Sequence, residues 1–111
     1  MIIKFSKKED KLIVLLKGEL DHHSAEEVRS KLDDFIEKEK LNFMIMDFSK
    51  VSFMDSSGIG VVIGRYKKLI QRQGTLSVIN VNGNVKRVFE LSGLFKIINV
   101  YDSLEQALTK M

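Results

Sequence analysis

Short apolar runs alternate with stretches of helical periodicity along almost the whole chain, and this alternation limits the possible folds more than any other feature. Apolar, β-branched runs cover residues 2–6, 11–17, 43–46, 76–79 and 97–100. A helical pattern follows each run except the first. The order β-β-α-β-α-β-α-β-α predicts an α/β fold with right-handed crossovers. Its mixed, mostly parallel sheet is expected to have about five strands, to begin with an antiparallel hairpin and to carry about four helices.

Turn and capping residues predict several helix boundaries. The pattern Ser24-x-x-Glu27 matches a capping box, with Ser24 as the N-cap of the first helix. Gly74 and Gly93 are predicted to close the second and third helices. Ser103 is predicted to cap the fourth helix.

One segment, Asp55-Ser56-Ser57-Gly58-Ile59-Gly60, lies where a loop is expected to turn into a helix. Residues 49–55 are interpreted as a connection, and the helical pattern begins near Ile59. The first four N–H groups of a helix lack intrahelical partners, and the helix dipole leaves partial positive charge there. Because a phosphate is stabilised at such a place, the sequence predicts that Ser57 can accept a phosphoryl group.

The two adjacent serines have different predicted roles. A serine at a helix start is most often an N-cap, and Ser56 is expected to fill that role. Ser57 is then spare, and it is sterically open because Gly58 and Gly60 carry no side chain. A glycine inside a helix costs about 1 kcal/mol relative to alanine, so close packing on the sheet or close approach by a partner should offset that cost.

Motifs for catalysis or metal binding are absent around this segment. Met54 and Asp55 stand where a Gly-x-Ser-x-Gly hydrolase elbow needs other residues. The glycines lack the spacing of a dinucleotide fingerprint, and no lysine follows them as in a P-loop. His22 and His23 are the only histidines and the chain has no cysteine, so the usual zinc spacing is missing. No catalytic residue, cofactor or metal ligand is predicted.

Two carboxylates are candidates for the surface around Ser57. Asp21 follows a predicted strand and precedes a helix, and Asp55 ends the connection after the next strand. Ligand sites in open α/β sheets gather at the carboxyl ends of the strands, so both acids are expected near Ser57. The alternative is that each serves only turn or cap chemistry.

Composition and charge restrict the class of protein. Charged residues make up 30% of the 111 residues, and the net charge of +3 comes from lysines and arginines interleaved with acids. Without a basic block or a binding motif, nucleic-acid binding is not expected. No apolar run approaches the roughly 20 residues of a membrane span, and the first residues read as a strand and not as a signal peptide. With no proline and no linker, residues 1–111 are expected to form a single cytoplasmic domain.

Five segments resemble the anti-sigma factor antagonist family. They are residues 18–26 (GELDHHSAE), 46–49 (MDFS), 53–60 (FMDSSGIG), 64–66 (GRY) and 91–94 (LSGL). The resemblance covers essentially the whole chain and implies the STAS fold. It also implies that the unphosphorylated protein binds an anti-sigma factor, which is itself an ATP-dependent serine kinase, and so releases a sporulation sigma factor.

The same resemblance implies a phosphorylation switch. The kinase would phosphorylate the serine before the first glycine, here Ser57, and a serine phosphatase would restore the active form. The chain would then be a kinase substrate and a binding module, with no catalysis of its own. The residues expected at the partner surface are Asp21, Asp55, Ser56, Ser57, Gly58 and Gly60.

Two other functions remain open at this point. The chain could be a regulatory domain that binds or hydrolyses a small molecule or nucleotide through the glycine-rich turn and Asp21. It could instead belong to another STAS type, such as a stress-response antagonist or a module linked to a transporter.

Overall fold

The computed structural model describes residues 1–111 and confirms the predicted order of elements. The strands are β1 (Ile2–Lys8), β2 (Lys11–Leu20), β3 (Phe43–Met54), β4 (Thr75–Ile79) and β5 (Asn99–Tyr101). The helices are α1 (Ala25–Glu39), α2 (Ser56–Ile70), α3 (Gly83–Ser92) and α4 (Leu104–Lys110). A short 3-10 helix, Leu94–Lys96, lies between α3 and β5.

The five strands form one sheet, in which they lie in the order of the sequence, β1-β2-β3-β4-β5. β1 pairs with β2 in antiparallel orientation, and every later pair is parallel. The mixed sheet with an antiparallel first hairpin is the one that the sequence predicts. Because β2, β3 and β4 are parallel, their carboxyl ends lie at one edge of the sheet.

The helices are divided unequally between the two faces of the sheet. α1, α2 and α3 pack on one face, in a core that also contains alternate residues of the central strands, namely Leu12, Val14, Leu16, Met44, Met46, Phe48, Leu76 and Val78. α4 packs on the second face, against Ile13, Ile45 and Ile79. Lys17, Glu19 and Lys50 follow on the same strands and are exposed, so α4 covers only part of this second face.

β3 is much longer than its apolar run predicts. The interpretation of residues 49–55 as a connection is wrong, because pairing with β2 continues to Met54. The register shifts after Asp47, so that Lys50 and not Ser49 is paired with Lys17. A second shift follows, so that Phe53 and not Ser52 is paired with Glu19. Each bulge adds one residue to β3, and together they break the alternation of apolar and polar side chains by which a strand is identified in a sequence.

The predicted limits of α2 also need correction. The helix begins at Ser56, three residues before Ile59, because Asp55 caps it. It ends at Ile70, and Gln73, with φ 61°, takes the left-handed conformation expected of Gly74. The N–H of Gly74 still closes the helix end by donating to the carbonyl of Leu69 at 2.8 Å.

The interface between α1 and α2 contains a buried charge that the sequence pattern does not predict. Arg65 is 7% exposed, and its Nε lies 2.9 Å from Oδ1 of Asp33 on α1. Burial lowers the pKa of Arg65, and the charge of Asp33 opposes that shift. Nearby, Glu37 of α1 pairs with Lys68 of α2 and with Arg72, which lies just after α2, so ion pairs also join the two helices toward the end of α2.

Four smaller expectations can be compared with the structure. Ser24 is the N-cap residue of α1 as predicted, but the hydrogen bond of the capping box is absent, because the Ser24 hydroxyl donates to the Glu19 carbonyl at 2.7 Å. The last strand starts at Asn99, since the 3-10 helix lies just before it. Gly93, with φ 79°, closes α3 as predicted, and Ser103 caps α4 by accepting from the N–H of Gln106 at 3.1 Å.

Two glycine substitutions are expected to have opposite effects on stability. A Cβ at position 74 meets the backbone carbonyl oxygen of Asn42 at 1.8 Å, whereas a Cβ at position 64 meets no atom within 4 Å. Gly74→Ala should therefore lower the free energy of unfolding by about 2 kcal/mol or more. Gly64→Ala should raise it by about 0.5–1 kcal/mol, the helix preference of alanine. Urea unfolding followed by circular dichroism measures both, and equal effects of the two substitutions would contradict the prediction.

Candidate functional site

The Asp55–Gly60 segment lies at the sheet edge where β2 and β3 end. The N–H of Asp55 donates to the carbonyl of Leu20, the last residue of β2, at 3.3 Å. This bond joins the start of α2 to the turn between β2 and α1. The sheet order therefore brings together two segments that are more than thirty residues apart in the chain.

Gly58 is required by close packing at this edge. A Cβ on Gly58 would lie 2.5 Å from Cγ of Met54 and 3.0 Å from the carbonyl oxygen of Leu20. Met54 is flexible, but the backbone of Leu20 is fixed by the sheet. The first turn of α2 can therefore approach β2 this closely only because residue 58 has no side chain.

Asp55, and not Ser56, is the N-cap of α2. Its backbone is extended (φ −118°, ψ −169°), and its Oδ1 accepts a hydrogen bond from the N–H of Ser57 at 2.8 Å. A carboxylate at this position satisfies a free N–H group and also interacts favourably with the helix dipole. The prediction that Ser56 caps the helix is therefore wrong, and Ser56 is exposed in the first turn.

Ser57 carries a hydroxyl group that takes no part in the fold. The residue is half-buried, and its backbone N–H is held by Asp55. No hydrogen bond within the chain involves the Oγ of either Ser56 or Ser57; the side-chain hydrogen bonds of this edge belong to Asp21, Ser24, Ser52, Asp55 and Asn84. The serine is thus fixed in position by its backbone while its oxygen is free to react.

Gly60 differs from Gly58 in its surroundings. It is exposed, and a Cβ built on it meets nothing within 4 Å. No contact inside the chain explains a glycine at this helical position. The structure thus gives Gly58 an internal packing role and Gly60 none, and the expectation that both lie at the partner surface stays a prediction.

Asp21 organises the turn between β2 and α1. Its Oδ1 accepts from the N–H groups of His23 at 2.9 Å and Ser24 at 3.1 Å. Desolvation opposes these contacts, but the two N–H bonds and the charge of His23 together hold the pKa of Asp21 below its usual value. Asp21 thus stabilises a turn and Asp55 caps a helix, which are the roles that the sequence analysis gives as the alternative to a partner surface. Asp21 directly follows Leu20 and lies at the same edge as Asp55, although no hydrogen bond joins it to Ser57.

Two residues of this edge are missed by the sequence analysis. Asn84, in the first turn of α3, accepts from the N–H of Met54 through Oδ1 at 3.1 Å and so joins α3 to the end of β3. The turn-forming run Asn82-Gly83-Asn84 after a strand was the available signal. Phe53 is 42% exposed just before the site. Pairing with Glu19 places Phe53 on the sheet face opposite the main core, and the two bulges of β3 that set this pairing leave no mark in the sequence.

Comparison with known proteins identifies the class. Residues 3–107 match the STAS domain family, and the chain belongs to that family. The mixed five-stranded sheet with four helices is the STAS fold.

Individual relatives show which members of the family the chain is similar to. The chain is 44% identical over 100 residues to the anti-sigma F factor antagonist of Paenibacillus polymyxa, which covers 90% of this chain and 86% of that protein. It is 36% identical over 91 residues to the anti-sigma-B factor antagonist of Listeria monocytogenes, covering 82% and 79% of the two chains. The structure of the Bacillus cell fate determinant SpoIIAA in its phosphorylated form superimposes with a TM-score of 0.74 at 31% identity, over 98% of each chain.

The structure has neither a helix suited to a membrane nor a cluster of metal-binding side chains. None of its helices has the length and apolar character needed to cross a lipid bilayer. No three side chains of histidine, aspartate or glutamate are grouped so that they could hold a metal ion.

Substitution of Asp55 should separate its capping role from its charge. Asp55→Ala removes the acceptor for the Ser57 N–H and should lower the free energy of unfolding by about 1 kcal/mol. Asp55→Asn keeps an acceptor oxygen and is expected to recover most of that loss. Urea unfolding measures both variants. If the asparagine and alanine variants were equally unstable, the carboxylate charge and not the cap bond would be the stabilising feature.

The stability of the domain should depend on the ionisation of Asp21. Because the folded protein lowers the pKa of this carboxyl, its contribution is present above the pKa of the unfolded chain and is lost as the pH falls through the folded value. Asp21→Asn should therefore lower the thermal midpoint near neutral pH, and the difference from the wild type should shrink as the solution is acidified below about pH 4. Thermal unfolding across this pH range tests the sign, and a difference that does not change with pH would contradict it.

Proposed function

We propose that this chain, as a single STAS domain over residues 1–111, is an anti-sigma factor antagonist controlled by phosphorylation of Ser57. The unphosphorylated form binds an anti-sigma factor that is also a serine kinase and thereby releases a sporulation sigma factor. The kinase modifies Ser57, and a serine phosphatase reverses the modification. In this role the chain is a cytoplasmic binding module and kinase substrate, without catalysis of its own.

The observation that carries this proposal is the free hydroxyl of Ser57 at the start of α2. Asp55 caps the helix, so Ser57 Oγ is not needed as a cap. Gly60, one turn further along, leaves the surface open beside it. Ser57, Gly60 and the neighbouring Ser56 are the parts of the segment with no internal role, and they are available to a partner.

A phosphate on Ser57 should leave the fold nearly unchanged. It adds about 1.5–2 negative charges. The dipole of α2 stabilises an anion at this end by about 0.3–1 kcal/mol. The carboxylate of Asp55, bonded to the Ser57 N–H, is a like charge nearby and offsets part of that gain. The two effects are small and opposite, so we expect no rearrangement of α2.

The same charge has a larger effect on a packed interface. A phosphate facing acidic or apolar groups of a partner causes repulsion and desolvation that cost several kcal/mol. Because this cost exceeds any intramolecular change, the switch is expected to act through repulsion between the proteins and not through a change of shape.

The relatives support the kind of partner and the modification. The similar proteins from Paenibacillus and Listeria are named as antagonists of anti-sigma factors, and the similar SpoIIAA structure is of a phosphorylated form. Identity is 44% to the anti-sigma F factor antagonist and 36% to the anti-sigma-B factor antagonist, which favours an anti-sigma F type of partner.

A small-molecule or nucleotide-binding role has weaker support. The one concavity of the chain is open and mostly polar, and it is lined by Asp21 and residues on either side of the β2–α1 turn. No residue of the 56–60 turn lines it. A nucleotide held by both Asp21 and the glycine-rich turn would need a cavity that includes both.

Variants of the two serines test the proposal directly. With the anti-sigma factor and ATP, mass spectrometry should find one phosphate on wild type and on Ser56→Ala, and none on Ser57→Ala. Titration calorimetry without ATP should show that Ser57→Ala binds about as tightly as wild type, and that Ser57→Glu binds at least about tenfold more weakly because of its charge. The thermal midpoints of the Ser57 variants should be nearly the same.

Two results would overturn parts of this proposal. Phosphate found on Ser56 would move the modified residue. Undiminished binding by Ser57→Glu, together with binding by the wild type, would contradict the electrostatic account of the switch.

A further inference from the structure

The part of the second sheet face that α4 leaves uncovered is basic and partly apolar. We call it the basic face; it consists of Ile2, Lys4, Leu15, Lys17, Lys50 and Phe53. Ile2 is 52% exposed and Phe53 is 42% exposed. All three lysines are exposed. The apolar side chains lie among positive charges, which is unlike the apolar contact that α4 makes further along the same strands.

Strand register places these side chains next to each other. Ile2 is paired with Lys17, and Lys4 with Leu15, across the antiparallel β1–β2 ladder. Lys17 is paired with Lys50 across the parallel β2–β3 ladder. Paired residues point to the same side of a sheet, so the three lysines form one group that spans three strands.

The arrangement is unfavourable for the isolated domain. Like charges directly opposite each other on neighbouring strands are destabilising, and Lys17 and Lys50 are such a pair. None of the three lysines is within ion-pair distance of a carboxylate, because the ion pairs of the structure join other residues. Asp47, paired with Leu15, and Glu19, paired with Phe53, lie on the same side of the sheet but form no ion pair with these lysines. The repulsion between Lys17 and Lys50 is therefore not relieved by an ion pair within the chain, and contact with an acidic surface would relieve it.

The basic face continues into the site around Ser57. Phe53 belongs to it and lies four residues before Ser57, and Asp55 between them holds the backbone of Ser57. A protein large enough to cover Ser57 and Gly60 at the sheet edge can extend around that edge onto Phe53 and Lys50.

We infer that the basic face is a second docking surface for the protein that binds at Ser57, and that it receives an acidic segment of that partner with an apolar side chain against Phe53. The inference rests on the proposed function, since it assigns a surface to the same partner. It also fits the proposed switch, because an acidic partner attracted by the three lysines is repelled by a phosphate at the adjacent edge.

Glu19 favours a protein over a lipid surface as the occupant. It is exposed on the same side of the sheet and is paired with Phe53, so an acid borders the apolar side chain. An anionic bilayer would bring negative charge against this carboxylate, whereas a folded partner can place a donor there.

Charge reversal at Lys50 gives a sharp test. Lys50→Glu replaces a pair of like charges with an opposite pair beside Lys17, so the fold should not be weakened. Lys17→Glu is the reciprocal variant. Lys96→Glu, on the 3-10 helix, makes the same change of charge at another exposed position without an ion pair and serves as the matched control.

Titration of the purified anti-sigma factor against these full-length variants measures affinity at low and physiological salt. We expect Lys50→Glu and Lys17→Glu each to weaken binding about tenfold at low salt, with a smaller loss at physiological salt, and Lys96→Glu to bind within about twofold of wild type. Thermal midpoints of Lys50→Glu and Lys17→Glu should be no lower than that of wild type.

Several outcomes separate this inference from the proposed function. Binding that is sensitive to Ser57→Glu but not to Lys50→Glu or Lys17→Glu would overturn the basic face and leave the proposed function intact. No binding of the anti-sigma factor by wild type would overturn both. Two other results would show that the occupant is not a protein. In the first, the wild type sediments with phosphatidylserine–phosphatidylcholine vesicles and the lysine variants do not; in the second, the wild type shifts duplex DNA and the variants do not. Either result, if the lysine variants bind the anti-sigma factor as tightly as wild type, would overturn the inference.

Discussion

The close approach between the first turn of α2 and the end of β2 is the contact on which the rest of the site depends. The Asp55 N–H donates to the Leu20 carbonyl, and Gly58 has no side chain to hold the helix away from that strand. These contacts exist only because β2 and β3 are parallel neighbours and end at the same edge. They set the position of α2, and with it the direction in which Ser57 faces.

A segment that is continuous in sequence thus divides into two kinds of residue. Asp55 and Gly58 belong to the fold, one as a helix cap and the other as a point of close packing. The hydroxyl of Ser57 has no hydrogen-bond partner within the chain. At Gly60, no other atom of the chain lies within 4 Å of the place where a Cβ would be. Under the proposed phosphorylation, this separation would let Ser57 gain charge without disturbing the helix that carries it, since the cap bond does not use its oxygen.

Much of the fold could be predicted from the sequence because alternating periodicities and capping residues are local signals. The order of elements and the ends at Gly93 and Ser103 follow from them. The length of β3 could not be predicted, since its two bulges depend on pairing with β2. Ser57 could be placed at a helix start, but the cap could not be assigned to Asp55 or Ser56, because both residue types accept the same bond. Burial of Arg65 depends on Asp33 of another helix and gives no local signal.

The backbone around Ser57 has a further consequence for enzymology. Its N–H donates to Asp55 and the residue lies in the first turn of α2, so the serine is part of a helical turn and not of an extended strand. An enzyme that binds its substrate as an extended peptide cannot bind this residue unless the first turn of α2 unfolds. A transferase that modifies Ser57 must therefore recognise the folded domain. A short peptide with the same residues lacks the contact with β2 and would be a different substrate.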